Sequence, residues 1–399
     1  MKIAKRAAVL SPSLTLALTA KAKAMKAEGK DVVSFGAGEP DFDTPDFVKD
    51  VAIEDIKNGV TKYTPVRGTP DLLGAIAEIL KKDYGLEYTP QEIIVSLGGK
   101  HSLFNLMYAL VDDGDEVIIP SPYWLTYPEQ VKACGGKPVV VDCPPEAGFK
   151  ITPEQLRSAI TERTVAFVLN SPGNPTGAVY TAEELKALGA VLEEHPNVAI
   201  VSDDLYQKLV YPPTTFASLP ALVPSLKART IVVNGLSKAY SMTGWRLGWM
   251  AGPKEVISVV NNLQGQSTSN PVSFTQRAAA VALRSDHSFL GPWLEQFAKR
   301  RQTIVDGLKA LPGVTCDPAP QGAFYAFPDV SALYGKSYEG KKIDGSMAFA
   351  EILLEKANVS VVPGIAFGED RCVRLSYATS EDVIKKGLER IGEFLNKLS

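Results

Sequence analysis

Residues 165–177 read Val-Ala-Phe-Val-Leu-Asn-Ser-Pro-Gly-Asn-Pro-Thr-Gly, an unbroken apolar run that ends in small and polar residues. A short continuous apolar run bounded by turn formers is typical of a strand that is buried on both faces. Similar short runs recur at residues 93–95, 117–119, 139–141, 198–201 and 231–233. Helical segments separate most of them, so the sequence predicts an α/β fold with a mainly parallel central sheet covered by helices.

Composition narrows the class of protein. The chain has 399 residues, of which 45% are hydrophobic and 22% charged, as in ordinary globular proteins and unlike disordered or fibrous chains. A formal net charge of −3 leaves no basic excess for nucleic acid or an anionic membrane. Four scattered cysteines form no Cys-x-x-Cys pair and three histidines lie far apart. We therefore expect neither a disulfide framework nor a metal site.

The N-terminal segment partly resembles a secretion signal. Lys2, Lys5 and Arg6 precede a stretch rich in alanine and leucine. Pro12 and several hydroxyl side chains interrupt that stretch, and no apolar run reaches the roughly 20 residues of a membrane helix. We therefore expect a cytoplasmic protein without a cleaved signal.

The pattern changes after about residue 290. Long charged helices are predicted around residues 293–311, 346–356 and 380–397, and strands near 324–327, 359–362 and 372–376. We predict a large α/β domain over residues 46–290 and a smaller α+β domain over residues 291–399. Residues 1–45 are expected to form an N-terminal arm and part of the small domain.

Polar residues follow the predicted strands where each strand ends. The segments are Asn170–Gly177, Ser202-Asp203, Asn234–Lys238 and the turn Gly98–Lys100. In an open α/β sheet, ligands bind beyond the carboxyl ends of the strands. We therefore expect an amide, a carboxylate, a lysine and a glycine-rich helix start to meet at one edge of the sheet.

Lys238 is a candidate for covalent chemistry. A lysine just past a polar turn is commonly a surface residue, but Met242, Trp245 and Trp249 make this neighbourhood apolar. Burial lowers the pKa of a lysine, and a neutral amine can form a Schiff base. Arg246 follows eight positions later in the sequence, where its cation could hold a phosphate.

Asp203 ends a predicted buried strand. It could cap a helix or a turn, or it could face a pyridinium nitrogen. At about 4 Å and an effective dielectric constant near 20, such an ion pair is worth roughly 4 kcal/mol. It would keep the ring protonated and able to accept electrons from a carbanion.

Two glycine-rich turns partly resemble nucleotide-binding motifs. Gly98-Gly99-Lys100 opens a helix and could bind a phosphate, although its spacing is not that of a Walker motif. Gly36-Ala37-Gly38 is followed by Glu39-Pro40-Asp41 and not by the third glycine of a dinucleotide fingerprint. This argues against a nicotinamide-dependent enzyme.

Taken together, the motifs resemble a known family. Four occur in a fixed order: Asn174-Pro175-Thr176-Gly177, Asp203-x-x-Tyr206, Ser237-Lys238-x7-Arg246 and Arg374-Leu375-Ser376. The chain thereby resembles the class I/II aminotransferases, which are fold-type I enzymes that use pyridoxal 5′-phosphate. Three further segments are similar to those of bacterial aspartate aminotransferases, some of which also accept prephenate: residues 37–42, 121–124 and 242–246.

The resemblance implies a set of cofactor contacts: Tyr63, Gly99, Lys100, Trp124, Asn174, Asp203, Tyr206, Ser237, Lys238 and Arg246. Lys238 would form the Schiff base and then move the proton from the substrate's Cα. Asp203 would pair with the pyridine nitrogen, and Tyr206 and Asn174 would hydrogen-bond the ring O3′. Trp124 would stack on the ring, although an ordinary core or loop tryptophan is the alternative.

The phosphate would lie among Gly99, Lys100, Ser237 and Arg246. Tyr63 matches a tyrosine that reaches the phosphate of the neighbouring subunit, so the resemblance implies a homodimer; otherwise it is a surface loop residue. The chain departs from many relatives at Gly235, where they carry a serine that touches the phosphate. One hydrogen bond of about 1.5–3 kcal/mol is then missing or supplied elsewhere.

The implied substrate contacts are Thr15, Gly38, Lys100, Trp124, Asn174 and Arg374. Arg374 would bind the α-carboxylate through its planar fork, and the backbone of Gly38 would meet the same carboxylate. Lys100 would meet the distal carboxylate of a dicarboxylate, with Thr15 nearby; its alternatives are a phosphate contact or a solvated lysine. Aspartate with 2-oxoglutarate is the expected pair, and aromatic, prephenate or alanine transamination stays open.

Two other classes share part of this pattern. A lyase or decarboxylase that uses pyridoxal phosphate would carry the same cofactor residues. A transcription regulator of this fold would need an added DNA-binding domain. The resemblance to the aminotransferases already begins at Ser11-Pro12-Ser13 and extends to Arg374, so we do not expect one.

Overall fold

A computed structural model of the protein describes residues 2–10 and 14–399, without the side chains of residues 5, 6 and 14–17. The helices are α1 Lys5–Ala8, α2 Leu14–Ala27, α3 Asp46–Lys57, α4 Pro70–Tyr84, α5 Gly99–Leu110, α6 Thr126–Ala133, α7 Pro153–Ala159, α8 Ala182–Glu193, α9 Leu219–Leu222, α10 Lys254–Ser267, α11 Ser273–Arg284, α12 Leu290–Lys309, α13 Ser346–Ala357 and α14 Glu381–Leu395. The strands are β1 Val33–Ser34, β2 Ile93–Ser96, β3 Glu116–Ser121, β4 Lys137–Asp142, β5 Thr164–Asn170, β6 Ala199–Asp203, β7 Thr230–Gly235, β8 Gly248–Ala251, β9 Tyr325–Ala326, β10 Ser337–Tyr338, β11 Lys341–Lys342, β12 Val359–Ser360, β13 Val362–Pro363 and β14 Val373–Ser376.

A seven-stranded sheet forms the centre of the fold, in the order β2-β8-β7-β6-β5-β3-β4. Only β8 runs antiparallel to its neighbours, so the predicted mainly parallel sheet is confirmed. Strands β2 and β7 are buried along their whole length, as their continuous apolar sequences indicate. The run at residues 139–141 was wrongly expected to be buried on both faces. It lies in β4 at the edge of the sheet, where the faces are less completely covered and Val140 is exposed.

Local signals set the ends of the helices. The Thr69 side chain accepts a hydrogen bond from the Leu72 amide at 3.4 Å, and Pro70 occupies the first turn of α4. Gly85 closes that helix in the left-handed conformation, at φ 69°. The predicted capping box of Thr181 and Glu184 opens α8. These caps hold the helices that cover the sheet.

A second group of elements packs beside the sheet. Helices α12, α13 and α14 surround the antiparallel sheet β13-β14-β9, while β1 pairs in parallel with β12. Residues of the N-terminal arm, such as Leu18 and Phe35, share one apolar core with Phe297 and Ile384. This packing supports the domain division 1–45, 46–290 and 291–399, whose boundaries stay a prediction.

Two further findings concern the part of the chain that the structure describes. No helix among residues 2–10 and 14–399 is long and apolar enough to cross a membrane. Over the same residues, no group of three or more histidine, cysteine, aspartate or glutamate side chains is arranged to hold a metal ion.

Candidate active site

One cavity lies at the carboxyl ends of the parallel strands. Asn170 at the end of β5 pairs in register with Asp203 at the end of β6, and β7 leads into Lys238. The cavity measures about 670 Å³. It brings together most of the predicted site residues: Gly38, Gly99, Lys100, Trp124, Asn174, Asp203, Tyr206, Ser237, Lys238, Arg246 and Arg374. The expectation that strand ends deliver these groups to one edge is confirmed.

Asp203 is a buried carboxylate on the cavity wall. Tyr127 donates a hydrogen bond to its Oδ2 at 2.6 Å, and the Leu205 amide donates to Oδ1 at 3.3 Å. Burial raises the pKa of Asp203, while these hydrogen bonds and the Lys238 charge act in the opposite direction. A cation placed beside this carboxylate would restore its charged form.

Lys238 lies in the turn after β7, and its amine donates a hydrogen bond to the Gly38 carbonyl. The amine is enclosed by protein atoms on most sides but faces the cavity. Burial, followed by the nearby Arg374 cation, lowers the pKa of Lys238 to about 8. This direction agrees with the lowered pKa expected from the apolar sequence, and it favours a neutral, nucleophilic amine.

A compact cationic turn lies at the start of α5. Gly98 precedes this helix at φ 90°, and a Cβ there would come within 2.7 Å of Arg246 Nη2. Arg246 donates to the carbonyls of Thr243 at 2.8 Å and Leu97 at 3.2 Å. The free amides at the helix start, the buried Ser237 and the fixed guanidinium therefore form a cradle suited to a phosphate.

Arg374 reaches the cavity from β14 and is only 6% exposed. Its Nη1 donates to Asn174 Oδ1 at 2.9 Å and its Nη2 to the Gly36 carbonyl at 3.1 Å. The guanidinium lies 4.6 Å from the ring centre of Tyr325 and 5.0 Å from that of Phe367. Among the described residues, its buried Nε has no hydrogen-bond partner. A buried fork with an unused donor suits a carboxylate ligand.

The remaining wall is aromatic. Tyr206 shares a hydrogen bond of 2.8 Å with Tyr325 through the two hydroxyls. The Lys100 amine lies 4.9 Å from the ring centre of Trp124. Partial burial, followed by the Arg246 cation, lowers the pKa of Lys100. Lys100 therefore lies between the phosphate cradle and the aromatic wall, and its position favours neither of its two predicted roles.

The chain also matches known proteins over most of its length. Residues 30–391 match the family model described as aminotransferase class I and II. The chain belongs to the class I and II aminotransferases.

Similar proteins extend over the full length of this aminotransferase. It is 49% identical to an aspartate/prephenate aminotransferase of Nitrosomonas europaea, over 99% of this chain and 100% of the relative. It is 50% identical to an aspartate aminotransferase of Geobacillus stearothermophilus, over 99% of each chain. The crystal structure of the Rhizobium meliloti aspartate aminotransferase matches with a TM-score of 0.97 and 47% identity over 100% of both chains. The fold is thus the fold-type I architecture that the sequence motifs predicted.

One predicted site residue of the aminotransferase lies outside the cavity, and another has a side chain that is not among those described. Tyr63 is 91% exposed in the loop after α3 and does not line the cavity of its own chain. The Thr15 side chain lies outside the described residues, so its predicted role stays a prediction.

Sequence reasoning missed several cavity residues: Lys23, Lys26, Glu39, Tyr127 and Tyr325. Tyr127 and Tyr325 are buried aromatic residues, and in the sequence they cannot be told from ordinary core residues. Glu39 lies inside the quoted motif of residues 37–42, but only the structure reveals that it accepts a hydrogen bond from Thr243 at 2.7 Å.

Proposed function

We propose that this aminotransferase depends on pyridoxal 5′-phosphate and transfers the amino group of aspartate to 2-oxoglutarate. The observation that carries the proposal is the meeting of three groups in one cavity. These are the enclosed amine of Lys238, the buried carboxylate of Asp203 and the buried guanidinium of Arg374. The chemistry of transamination needs an amine, an anion for a ring nitrogen and a cation for a substrate carboxylate.

The residues present fit the cofactor. The cradle of Gly98, Ser237 and Arg246 suits its phosphate, and a Cβ at Gly98 would fill part of that cradle. Burial raises the pKa of Asp203, and no cation among the described side chains donates a hydrogen bond to it; a protonated pyridine nitrogen would supply one. The aromatic face of Trp124 on the cavity wall suits the flat ring.

When bound, pyridoxal phosphate supplies an electron sink for the bonds at the substrate's Cα. Lys238 would hold the cofactor through its amine, and the freed amine would then move the proton from the substrate's Cα. Asp203 would keep the ring nitrogen protonated, and Tyr206 and Asn174 would orient the ring oxygen. Arg374 binds and orients the substrate's α-carboxylate, with the backbone of Gly38 beside it.

The preference for aspartate rests on two supports. Several relatives at 49–50% identity are named aspartate aminotransferases. Lys100 also lines the cavity, and of its two predicted roles the contact with a distal carboxylate would favour aspartate. A second candidate is prephenate transamination, since the Nitrosomonas europaea relative is named for both substrates. Aromatic or alanine donors stay open, because lysine is a flexible point charge that can swing aside.

We also propose a homodimer with composite sites. Large apolar side chains are exposed on and after α3, on α5 and on α10: Phe47, Ile53, Ile56, Val60, Phe104, Tyr108 and Val259. Such exposed apolar surface commonly marks a protein interface. Tyr63 follows α3 and is free to reach the phosphate of a second chain. A cytoplasmic location is proposed on the sequence pattern alone.

A screen of amino donors tests the proposed function. The purified protein, loaded with pyridoxal phosphate, is offered aspartate, glutamate, phenylalanine, alanine and prephenate with a matching 2-oxo acid acceptor. We expect kcat/KM to be highest for aspartate with 2-oxoglutarate, with glutamate as a product. Ammonia or carbon dioxide release without transfer of the amino group would instead identify a lyase or decarboxylase.

A further inference from the structure

One face of α2 lines the mouth of the cavity. Thr19, Ala22, Lys23 and Lys26 recur at the i, i+3, i+4, i+7 spacing of a helical stripe, and all four line the cavity. The adjacent stripe, which includes Leu18, Ala22 and Met25, packs into the apolar core. Because this packing fixes the rotation of the helix about its axis, α2 directs two lysines to the cavity.

These two lysines differ from other lysines nearby. Lys21 pairs with Glu355 at 2.6 Å, and Lys30 pairs with Glu28 at 3.1 Å. For Lys23 and Lys26, both exposed, the structure of residues 2–10 and 14–399 shows no ion pair. An exposed lysine without a partner is ordinary by itself, but two at one cavity mouth produce a local field.

The charges of the cavity wall add to that field. Among the described residues, six basic side chains line the cavity: Lys23, Lys26, Lys100, Lys238, Arg246 and Arg374. The two acidic ones are Glu39 and Asp203, and each already accepts a hydrogen bond, from Thr243 and Tyr127 respectively. The wall is therefore basic although the whole chain carries a formal net charge of −3.

We propose that Lys23 and Lys26 form a substrate-selecting site at the mouth, which attracts dicarboxylates and favours them over monocarboxylates. The inference rests on the proposed function. Arg374 accounts for the α-carboxylate and the cradle at α5 for the phosphate, so neither needs the lysines of α2. A second carboxylate is the group left to meet them. Their long flexible stems accommodate dicarboxylates of different length.

The proposed site promotes the encounter of the free enzyme with the free substrate. Attraction of an anion raises its local concentration at the cavity, and this raises kcat/KM whether association or chemistry limits turnover. Salt screens such attraction, because the Debye length falls from about 30 Å at 0.01 M to about 3 Å at 1 M. A neutral donor side chain carries no second charge and gains much less.

The experiment compares two double variants of the cofactor-loaded enzyme. The test variant is Lys23→Gln with Lys26→Gln. The control is Lys186→Gln with Lys342→Gln, two exposed lysines on α8 and β11 that do not line the cavity. Both variants change the net charge equally. Steady-state kinetics are measured with aspartate, glutamate and alanine as donors, at ionic strengths of roughly 0.02 M and 0.5 M.

We expect the test variant to lose roughly 3–10-fold in kcat/KM for aspartate and glutamate at low ionic strength. For alanine the loss is below about twofold, kcat is unchanged, and the dependence on salt becomes weaker. The control variant keeps the parent values within about twofold. An equal loss on all three donors would mean that α2 is disturbed structurally, and no loss beyond the control would also overturn the proposal.

A binding measurement separates this proposal from the proposed function. Succinate and butyrate have the same number of carbons, but only succinate carries two carboxylates. Each is titrated into the cofactor-loaded parent and variants and followed by calorimetry, which needs no turnover. Weaker binding of succinate alone in the test variant supports the site even if aspartate is not the donor. Unchanged succinate binding refutes the site even if aspartate turns over.

Discussion

The inner wall of the cavity and its mouth differ in whether their polar side chains have hydrogen-bond partners within the same chain. On the inner wall, Asp203, Asn174 and Arg374 are each at most 8% exposed. Asp203 accepts a hydrogen bond from Tyr127 at 2.6 Å, and Asn174 accepts one from Arg374 at 2.9 Å. At the mouth, Lys23 and Lys26 are exposed, and Tyr63, outside the cavity, is 91% exposed. The inner wall is thus pre-organised and suits the proposed cofactor, whereas the groups at the mouth would be completed by a substrate and by the proposed second subunit.

The difference has an energetic consequence. Groups held at low dielectric and in fixed positions act strongly on charge that develops nearby, whereas exposed charges are screened by water and salt. Substitutions on the inner wall should therefore reduce turnover by several orders of magnitude. Substitutions of the two lysines at the mouth should alter the choice of substrate by about tenfold.

The largest effect is expected from Lys238→Ala. The change removes both the Schiff-base partner and the base that moves the proton, and a general base alone contributes roughly 10²–10⁴-fold. We expect turnover to fall by about 10⁴-fold or more, and the absorption band of the lysine-bound cofactor to disappear. Lys186→Ala is the control. Turnover near the parent rate would refute the assignment of Lys238.

The second largest effect is expected from Asp203→Asn, whose amide keeps the shape of the carboxylate but not its charge. The lost ion pair, roughly 4 kcal/mol by Coulomb's law, corresponds to about 10³-fold in turnover. A rate within about twofold of the parent would contradict the pairing with the ring nitrogen.

The same substitution should not weaken folding of the cofactor-free protein. Burial raises the pKa of Asp203 above its ordinary 3.8, so the folded state keeps a proton that the unfolded state has released. The contribution of Asp203 to stability therefore falls as the pH rises from 3.8 to the raised pKa of the folded state. Above that pKa the buried carboxylate is charged, and the full cost of burying the charge opposes folding. Denaturant unfolding at pH 8 should give Asp203→Asn a free energy of unfolding no lower than that of the parent.

The inner wall could largely be predicted from the sequence, for a physical reason. The carboxyl ends of the strands of a parallel sheet meet at one edge, so the sequence alone predicts that Asn174, Asp203 and Lys238 lie close together. Tyr127 escaped prediction because a buried aromatic residue has the same sequence signature whether it fills the core or donates to Asp203. The antiparallel strand β8 was also missed, since four residues do not reveal their direction.

The mouth could not be predicted in this way. In the sequence, Lys23 and Lys26 cannot be told from other solvent-exposed helix lysines. Only the packing of Leu18 and Met25 shows which face of α2 meets the cavity. The role of Tyr63 depends on a second chain, whose position no pattern within one chain encodes. The resemblance to the aminotransferases supplied that expectation, and it stays a prediction.

The choice of substrate is tested by Lys100→Ala. If Lys100 binds the distal carboxylate, its loss leaves that carboxylate unpaired. We then expect kcat/KM to fall roughly 10–100-fold for aspartate and less than about threefold for phenylalanine. An equal loss on both donors would assign Lys100 to the phosphate, and the dicarboxylate preference would then depend on the lysines of α2.

The smallest change, about fourfold from the parent, is expected in a subunit-mixing experiment. Lys238→Ala and Tyr63→Ala chains are each expected to be nearly inactive, because each homodimer has the same defect in both sites. In a heterodimer with composite sites, one site carries both defects and the other carries neither. Random assortment makes half of the dimers heterodimers with one intact site of two, so about a quarter of the parent activity should return. No recovery after denaturation and joint refolding, or a fully active monomer in sedimentation, would place Tyr63 outside the site and leave each cavity to a single chain.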